Sequence, residues 1–371
     1  MMRLVLALLA SVAASFAAAA EPLVFVSAFA PGEKGGIRAY EFSEGKLKPI
    51  HRTGGVENPF FLALSPGKNF LYSIDAKQFG GKENEQVVAF EIVGRGGELK
   101  LLNRQSTEGT ASCYLDVDKS RKVLVVANYS SGSVASVPIN ADGSLGPPAS
   151  LFQHKGSSVN PQRQKEPHAH CIVVSPDNKY AFANDLGTDQ IMCYKLDVGT
   201  AKLTPNDLPF SKAPPGAGPR HLTFHPSPVH AYAINELLGS VTVFDYDADK
   251  GTLTEKQTIS TLPADFKGTN LCADVKITPD GKYLYGTNRG HDSIACCKIG
   301  DDGKLSLIAI EPSLGKGPQN LAITPDGKWL LCANMPGNNI AVFKIDGATG
   351  RLKSAGEPVA QPSPSCIMIV P

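Results

Sequence analysis

The sequence predicts an all-β fold, a seven-bladed β-propeller of four-stranded antiparallel blades. Three observations carry that expectation. A short phrase recurs along the chain, β-forming runs alternate with turn residues, and one strand at each end lacks a partner. The phrase is Ser/Thr-Pro-Asp-Gly-Lys, an apolar run, an Asn, a few small or polar residues, then Ile/Val-x-x-Tyr/Phe-x-x-Asp. It reads SPGKNFLYSID from Ser65, SPDNKYAFANDLGTDQIMCYKLD from Ser175 and HPSPVHAYAINELLGSVTVFDYD from His225. It returns as TPDGKYLYGTNRGHDSIACCKIG from Thr278 and TPDGKWLLCANMPGNNIAVFKID from Thr324, with a degenerate copy, VDKSRKVLVVANYSSGSVASVPI, from Val117. A period of roughly fifty residues marks a propeller or a solenoid.

Each unit spells four strands. In one copy Ala273–Thr278 is the first, and Pro279-Asp280-Gly281 is a tight turn in which proline presets φ and glycine takes the positive-φ position. Lys282–Thr287 and Ser293–Ile299 follow, and Asp301-Asp302-Gly303 turns the chain into Lys304–Ala309. No helical periodicity intervenes. A lone sheet this short cannot bury both faces, whereas blades arranged radially cover one another. At the N-terminus, Leu23–Ala28, Ile37–Phe42 and Lys46–His51 make three strands with no innermost partner before them. The C-terminus offers one spare strand, Cys366–Val370. Placing it innermost in the first blade closes the ring and removes an open edge.

Residues 1–20 read as an export signal: Met1-Met2-Arg3 is basic, Leu4–Phe16 apolar, and Ala18-Ala19-Ala20 suits cleavage before Glu21. The apolar stretch is short for a membrane span. The expected location is the periplasm or the exterior, with residues 21–371 as one propeller domain. The formal net charge of +1, with Lys and Arg dispersed, gives no footprint for nucleic acid. The eight cysteines lie inside apolar runs, without a CxxC pair, and read as small buried hydrophobes. His168-x-His170 is the one pair with metal-ligand spacing, a weak signal. The polar loop Gln153–Pro167, with Lys155, Arg163 and Lys165, is either a surface loop or a partial lid.

Propeller topology brings distant residues together. The innermost strand crosses the ring and the second strand returns, so entrances to the first and exits from the second share one end of the channel. The entrances are Glu166-Pro167-His168-Ala169-His170, Gly218-Pro219-Arg220-His221 and Gly317-Pro318-Gln319-Asn320. The exits, after a repeated Asn (Asn128, Asn184, Asn235, Asn288, Asn334), are Tyr129, Asp185, Glu236, Arg289 and Met335. The Asn reads as structural. The varied residue after it reads as a ring of individual groups. His170, Arg220, Glu236 and Arg289 then face one pocket, where two guanidiniums hold an anion or oxyanion and an imidazole and a carboxylate move protons. Asp185, His221 and Tyr129 join Arg220 and Arg289 as substrate-contacting candidates. Bland alternatives stand beside this: Glu236 and Arg289 also suit an inter-blade salt bridge, and Arg220 a pair with Asp185. Strand alternation turns His168 and His221 away from the face of their neighbours. His225 reads as a turn residue and His291 as a rim residue.

The stretches PHAHCIVVSPDNKYAFANDLGTDQI, GAGPRHLTFHPSPVHAYAINEL and ADVKITPDGKYLYGTNRGHDSI are more specific than a generic repeat. Through them the chain resembles the seven-bladed propeller lactonases of the 6-phosphogluconolactonase type, related to the carboxy-muconate lactonizing enzyme. The resemblance covers nearly the whole chain after residue 20. It implies a lactonase whose active-site His, Arg, Glu and Arg are His170, Arg220, Glu236 and Arg289. Two departures bear on anion binding: Gln319 stands where an arginine often follows proline, and Ile74-Asp75-Ala76 where an Asn-Glu pair is common. An export signal also sits awkwardly with a phosphorylated sugar lactone.

The expectation is therefore a lactonase that uses neither metal nor organic cofactor and acts on a small lactone or sugar acid, with no nucleic-acid or membrane partner. Water activated by Glu236 or His170 attacks the ring carbonyl, and the other member of the pair protonates the leaving alkoxide. Two competing classes are a non-catalytic periplasmic propeller and a metal-dependent one that would draw on Asp185, Glu236 and the Asn column.

Overall fold

The recurring phrase folds into a recurring turn. At Thr278 the hydroxyl donates to the Asp280 carboxylate at 2.6 Å and accepts the Tyr283 amide at 3.1 Å. The Gly281 amide closes the turn on the Thr278 carbonyl at 2.9 Å, with φ at +75°. Thr324 repeats this with Asp326 and Trp329, and Ser175 with Asp177 and Tyr180. These turns join the first strand of a blade to its second. The second strands are continuous apolar runs because blades cover both their faces; Val123–Asn128 is buried throughout. Outermost strands such as Lys202–Lys212 expose most of their residues.

The computed structural model describes residues 21–371, and the expected export signal at 1–20 lies outside them. Seven antiparallel sheets form the blades. From the inside outward, the first is Pro364–Val370, Leu23–Ala28, Gly36–Ser43 and Lys46–Thr53. The second is Leu62–Leu64, Phe70–Asp75, Gln86–Val93 and Glu98–Ser106, and the third Ser112–Val117, Val123–Asn128, Ser133–Pro138 and Ser150–Gln153. The fourth begins with Ala169–Val174 and Tyr180–Asp185, the fifth with Pro219–Phe224 and His230–Asn235, and the sixth with Leu271–Ile277 and Tyr283–Arg289. In the seventh, Pro318–Ile323, Trp329–Asn334 and Asn339–Ile345 are followed by a split outer edge, Leu352–Ser354 and Val359–Ala360. The closing strand pairs as the sequence predicts, Cys366 opposite Ser27 and Val370 opposite Leu23. It packs on the innermost strands of both neighbouring blades, Pro318–Ile323 and Leu62–Leu64, which seals the ring.

Neighbouring blades are joined by repeated polar contacts as well as apolar packing. Buried Tyr72, Tyr232 and Tyr285 each donate to a turn carbonyl of the next blade, at Gly143, Gly303 and Gly350. Gly143 has φ +84°, and a Cβ there would lie 2.3 Å from the Phe70 ring, so no other residue fits. The repeated Asn does more than shape a turn. Asn128, Asn288 and Asn334 donate their amides to the carbonyls of Thr107, Thr261 and Ser313, where the chain crosses from the preceding blade. All eight cysteines are free and buried, in keeping with their apolar surroundings.

Candidate active site

The mouth of the channel owes its shape to bulges. The innermost strands shift register between Ser112 and Tyr114, Ala169 and Cys171, Pro219 and His221, and Pro318 and Asn320. Each shift leaves one residue without an opposite partner: Cys113, His170, Arg220 and Gln319. A bulge re-aims its side chain and bends the strand. It also resets the alternation beyond it, which overturns the expectation that His221 turns away from Arg220. Both are buried, and Arg220 Nη1 lies 3.0 Å from His221 Nε2.

Glu236 sits at the centre, 3% exposed. Its Oε2 accepts from Arg220 Nε at 3.0 Å and Arg289 Nη2 at 2.8 Å, and its Oε1 accepts from Arg163 Nη2 at 2.7 Å. His170 Nε2 stands 3.9 Å from Glu236 Oε2. Topology thus brings together all four of the expected catalytic residues. Arg163 is an addition that pattern reasoning missed. Its signal in the sequence is the polar insertion before the fourth blade, Gln153–Pro167, whose pattern points to a loop or lid and to no particular residue. Tyr129 belongs to the same group: its hydroxyl accepts from Arg163 at 3.1 Å, and its ring stacks on His168 and meets His170 edge-on.

Asp185 has a different place from the one expected. It is fully buried, its Oδ1 accepting the amides of His168, Gly187 and Thr188 and its Oδ2 lying 2.6 Å from His154 Nδ1. These partners occupy the carboxylate, so Asp185 builds the turn that carries His168 rather than facing a substrate. Arg220 does not pair with it. Behind Arg220 runs a relay: His221 Nδ1 lies 2.8 Å from Asp274 Oδ1, and Asp274 also accepts from Lys276, Asn320 and the Leu321 amide. Of the two departures from the family pattern, Gln319 directs its carbonyl oxygen toward Arg289 at 3.4 Å. Asp75 is used by the Glu57 amide and Arg104.

The charge states follow from this packing. Burial alone would raise the Glu236 carboxyl, but Arg289, Arg220 and Arg163 outweigh it and hold it below the ordinary carboxylate value, so it is ionised at neutral pH. Burial, then Arg220 and His221, push His170 well below 6.5. Burial and Arg220 bring His221 down to about 3. Both imidazoles are neutral. His221 then donates from Nδ1 to Asp274 and accepts at Nε2 from Arg220, the tautomer this geometry selects. Burial lowers Arg220 to about 10, which leaves it a cation. Burial raises the Cys113 thiol, 3.5 Å from His170 Nδ1, so it is no thiolate.

The remaining second-strand exits carry apolar residues. They are Met335, Ala76 and Phe29, the last clustered with Phe60 and Phe79 at ring separations of 5.0–5.2 Å. All three phenylalanines are partly exposed. Among the described residues, no group of three or more His, Cys, Asp and Glu side chains is placed to hold a metal ion.

Fold and site together define a propeller with an arginine-held carboxylate and a neutral histidine at one end of its channel. The family model described as "Lactonase, 7-bladed beta-propeller" matches residues 23–369. A 6-phosphogluconolactonase of Bacillus subtilis is 32% identical over 346 residues, covering 92% of this chain and 97% of its own. One from Formosa agariphila is 33% identical, covering 81% and 85%. The solved periplasmic gluconolactonase of Pseudomonas aeruginosa superposes with a TM-score of 0.88 at 30% identity, covering 94% and 99%. The chain belongs to the seven-bladed β-propeller lactonase family.

Proposed function

We propose that the protein hydrolyses a sugar lactone to its hydroxy acid at the mouth around Glu236, outside the cytoplasm. The observation that carries this is a buried carboxylate fixed by three guanidiniums with an imidazole 3.9 Å away. Glu236 takes a proton from water as the oxygen attacks the ring carbonyl. Arg289, the more exposed of the two strand-borne arginines at 23%, donates to the developing oxyanion. Arg220, at 1%, holds Glu236 in place. When the ring C–O bond breaks, the proton passes to the departing ring oxygen, directly from Glu236 or through His170. The names of the relatives support a sugar lactone. The export signal favours an unphosphorylated one, as does the gluconolactonase likeness.

Glu236→Gln keeps the shape and removes the base. Hydrolysis of glucono-1,5-lactone, corrected for spontaneous opening, should fall by about a hundredfold or more, the usual contribution of a positioned base. Circular dichroism should remain native. A folded variant with wild-type turnover would remove Glu236 from the mechanism. The ion pairs around Glu236 also suit a non-catalytic clamp between blades. In that case the native protein would open no lactone, phosphorylated or plain, and Glu236→Gln would only lower the melting temperature.

A further inference from the structure

We propose that Arg163 is a latch on the base: it occupies the one Glu236 oxygen the other arginines leave, and substrate draws it away on binding. The inference rests on the reading of Glu236 as the base. Oε2 already takes two guanidinium N–H groups, whereas Oε1 takes Arg163 alone. Three donors on about four acceptor sites leave water a single lone pair, on the same oxygen that Arg163 holds. Departure of Arg163 frees the whole of Oε1 and removes a positive charge, which makes Glu236 a stronger base at the moment water must be deprotonated.

The three arginines are not held alike. Arg220 also donates to the Ala273 carbonyl, and Arg289 to those of Leu271 and Cys272, so both are tied to the backbone of the sixth blade. Among the described residues Arg163 donates only to two side chains, Glu236 and Tyr129, and its own side chain is 33% exposed. The loop beneath it is firm. Buried Gln164 donates to the Leu186 carbonyl and Asp189, and its carbonyl oxygen accepts the Asn160 amide. Asp189 also accepts the Gly218 amide, two residues before Arg220, so one carboxylate sets both the loop and that entrance. The moving part is therefore the guanidinium, not the loop.

Charge supplies the driving force. Three guanidiniums face one carboxylate, with His170 and His221 neutral and Tyr129, Cys113 and Cys272 uncharged, their acidities weakened by burial. The oxygens of a lactone or sugar acid offer Arg163 replacement acceptors, and charge-assisted hydrogen bonds to them offset the lost pair.

The test is the pH dependence of hydrolysis. The acid limb of kcat/KM reports Glu236 in the free enzyme, and that of kcat reports it in the substrate complex. With a latch, the native protein should show the kcat limb at higher pH than the kcat/KM limb. In Arg163→Ala the kcat/KM limb should rise to meet it. KM should increase about tenfold or more, while kcat changes less than about threefold. Arg163→Lys should restore the low limb in part, and Lys165→Ala, on the same loop, should match native. Independently of turnover, the Glu236 carboxyl carbon followed by NMR should titrate higher in free Arg163→Ala than in native protein. Coincident limbs in the native protein, or an unmoved kcat/KM limb and carboxyl titration in Arg163→Ala, would overturn the latch. Loss of activity in Glu236→Gln alongside either result would leave the base assignment standing, whereas full activity in Glu236→Gln would end both.

Discussion

Arg220 and Arg289 share one carboxylate oxygen, yet the site asks different things of them. Arg220 is buried and makes three contacts with a planar fork: Glu236, the Ala273 carbonyl and His221. A lysine ammonium cannot hold that geometry. Arg220→Lys should lose activity by misplacing Glu236 and should also lower the melting temperature. Arg289 is more open, so Arg289→Lys should stay folded and lose less melting temperature than Arg220→Lys, while turnover drops by about a hundredfold, as for a lost oxyanion donor. Near-native turnover in both variants would make the arginines structural. The histidines add a pH signature. His221 titrates near 3 folded against 6.5 unfolded, and His170 is shifted the same way. Their folded values are depressed, so their contribution to stability is whole above 6.5 and is lost as pH falls toward the folded values. The melting temperature should begin to decline below about pH 6.5, above the ordinary carboxylate range, with Asp116, which burial raises to about 6, offsetting part of the decline because its folded form takes the proton first. His170→Gln should flatten that decline; an unchanged slope in the variant would assign it elsewhere.

The elements repeat, and their exceptions are informative. Asn288 staples its second strand to the crossover carbonyl of Thr261 and bonds Ser293, whereas the side-chain amide of Asn184 has no partner among the described residues. At that blade His154 takes the crossover position and pairs with Asp185 instead. Asn288→Ala should therefore destabilise by about 1–3 kcal/mol, since it strands a buried carbonyl. Asn184→Ala should cost distinctly less. Urea denaturation of the two variants checks this, and equal losses would show that the staple is not what the Asn provides. The strands and their tight turns were legible because proline, glycine and the Ser/Thr–Asp pair act locally. The bulges were not. A one-residue shift depends on how two strands settle against each other, so alternation placed His221 on the wrong side.

At the scale of the whole molecule, closure depends on the last strand. Pro364–Val370 is innermost in the first blade and touches both neighbouring blades. Removing residues 364–371 should unfold the ring rather than fray a tail, because it opens a sheet edge and bares an apolar seam. A truncated protein with native melting temperature and circular dichroism would refute this. The same closure gathers His170, Arg220, Glu236 and Arg289 from three successive blades.

The sequence by itself determined the blade count, the strand order and the closing strand, while topology together with the family resemblance picked out the quartet at the channel mouth. Those follow from periodicity and turn chemistry, which repeat at fixed spacing, and from a topology that returns every second strand to the same end. Only the tertiary structure decided which groups meet. It assigned Asp185 to His154, linked Arg220 through His221 to Asp274, and laid Arg163 on Glu236. These pairings join residues up to 73 positions apart through side chains whose reach no repeat encodes. Bulges, burial and competing charges select among partners that the sequence leaves equally plausible.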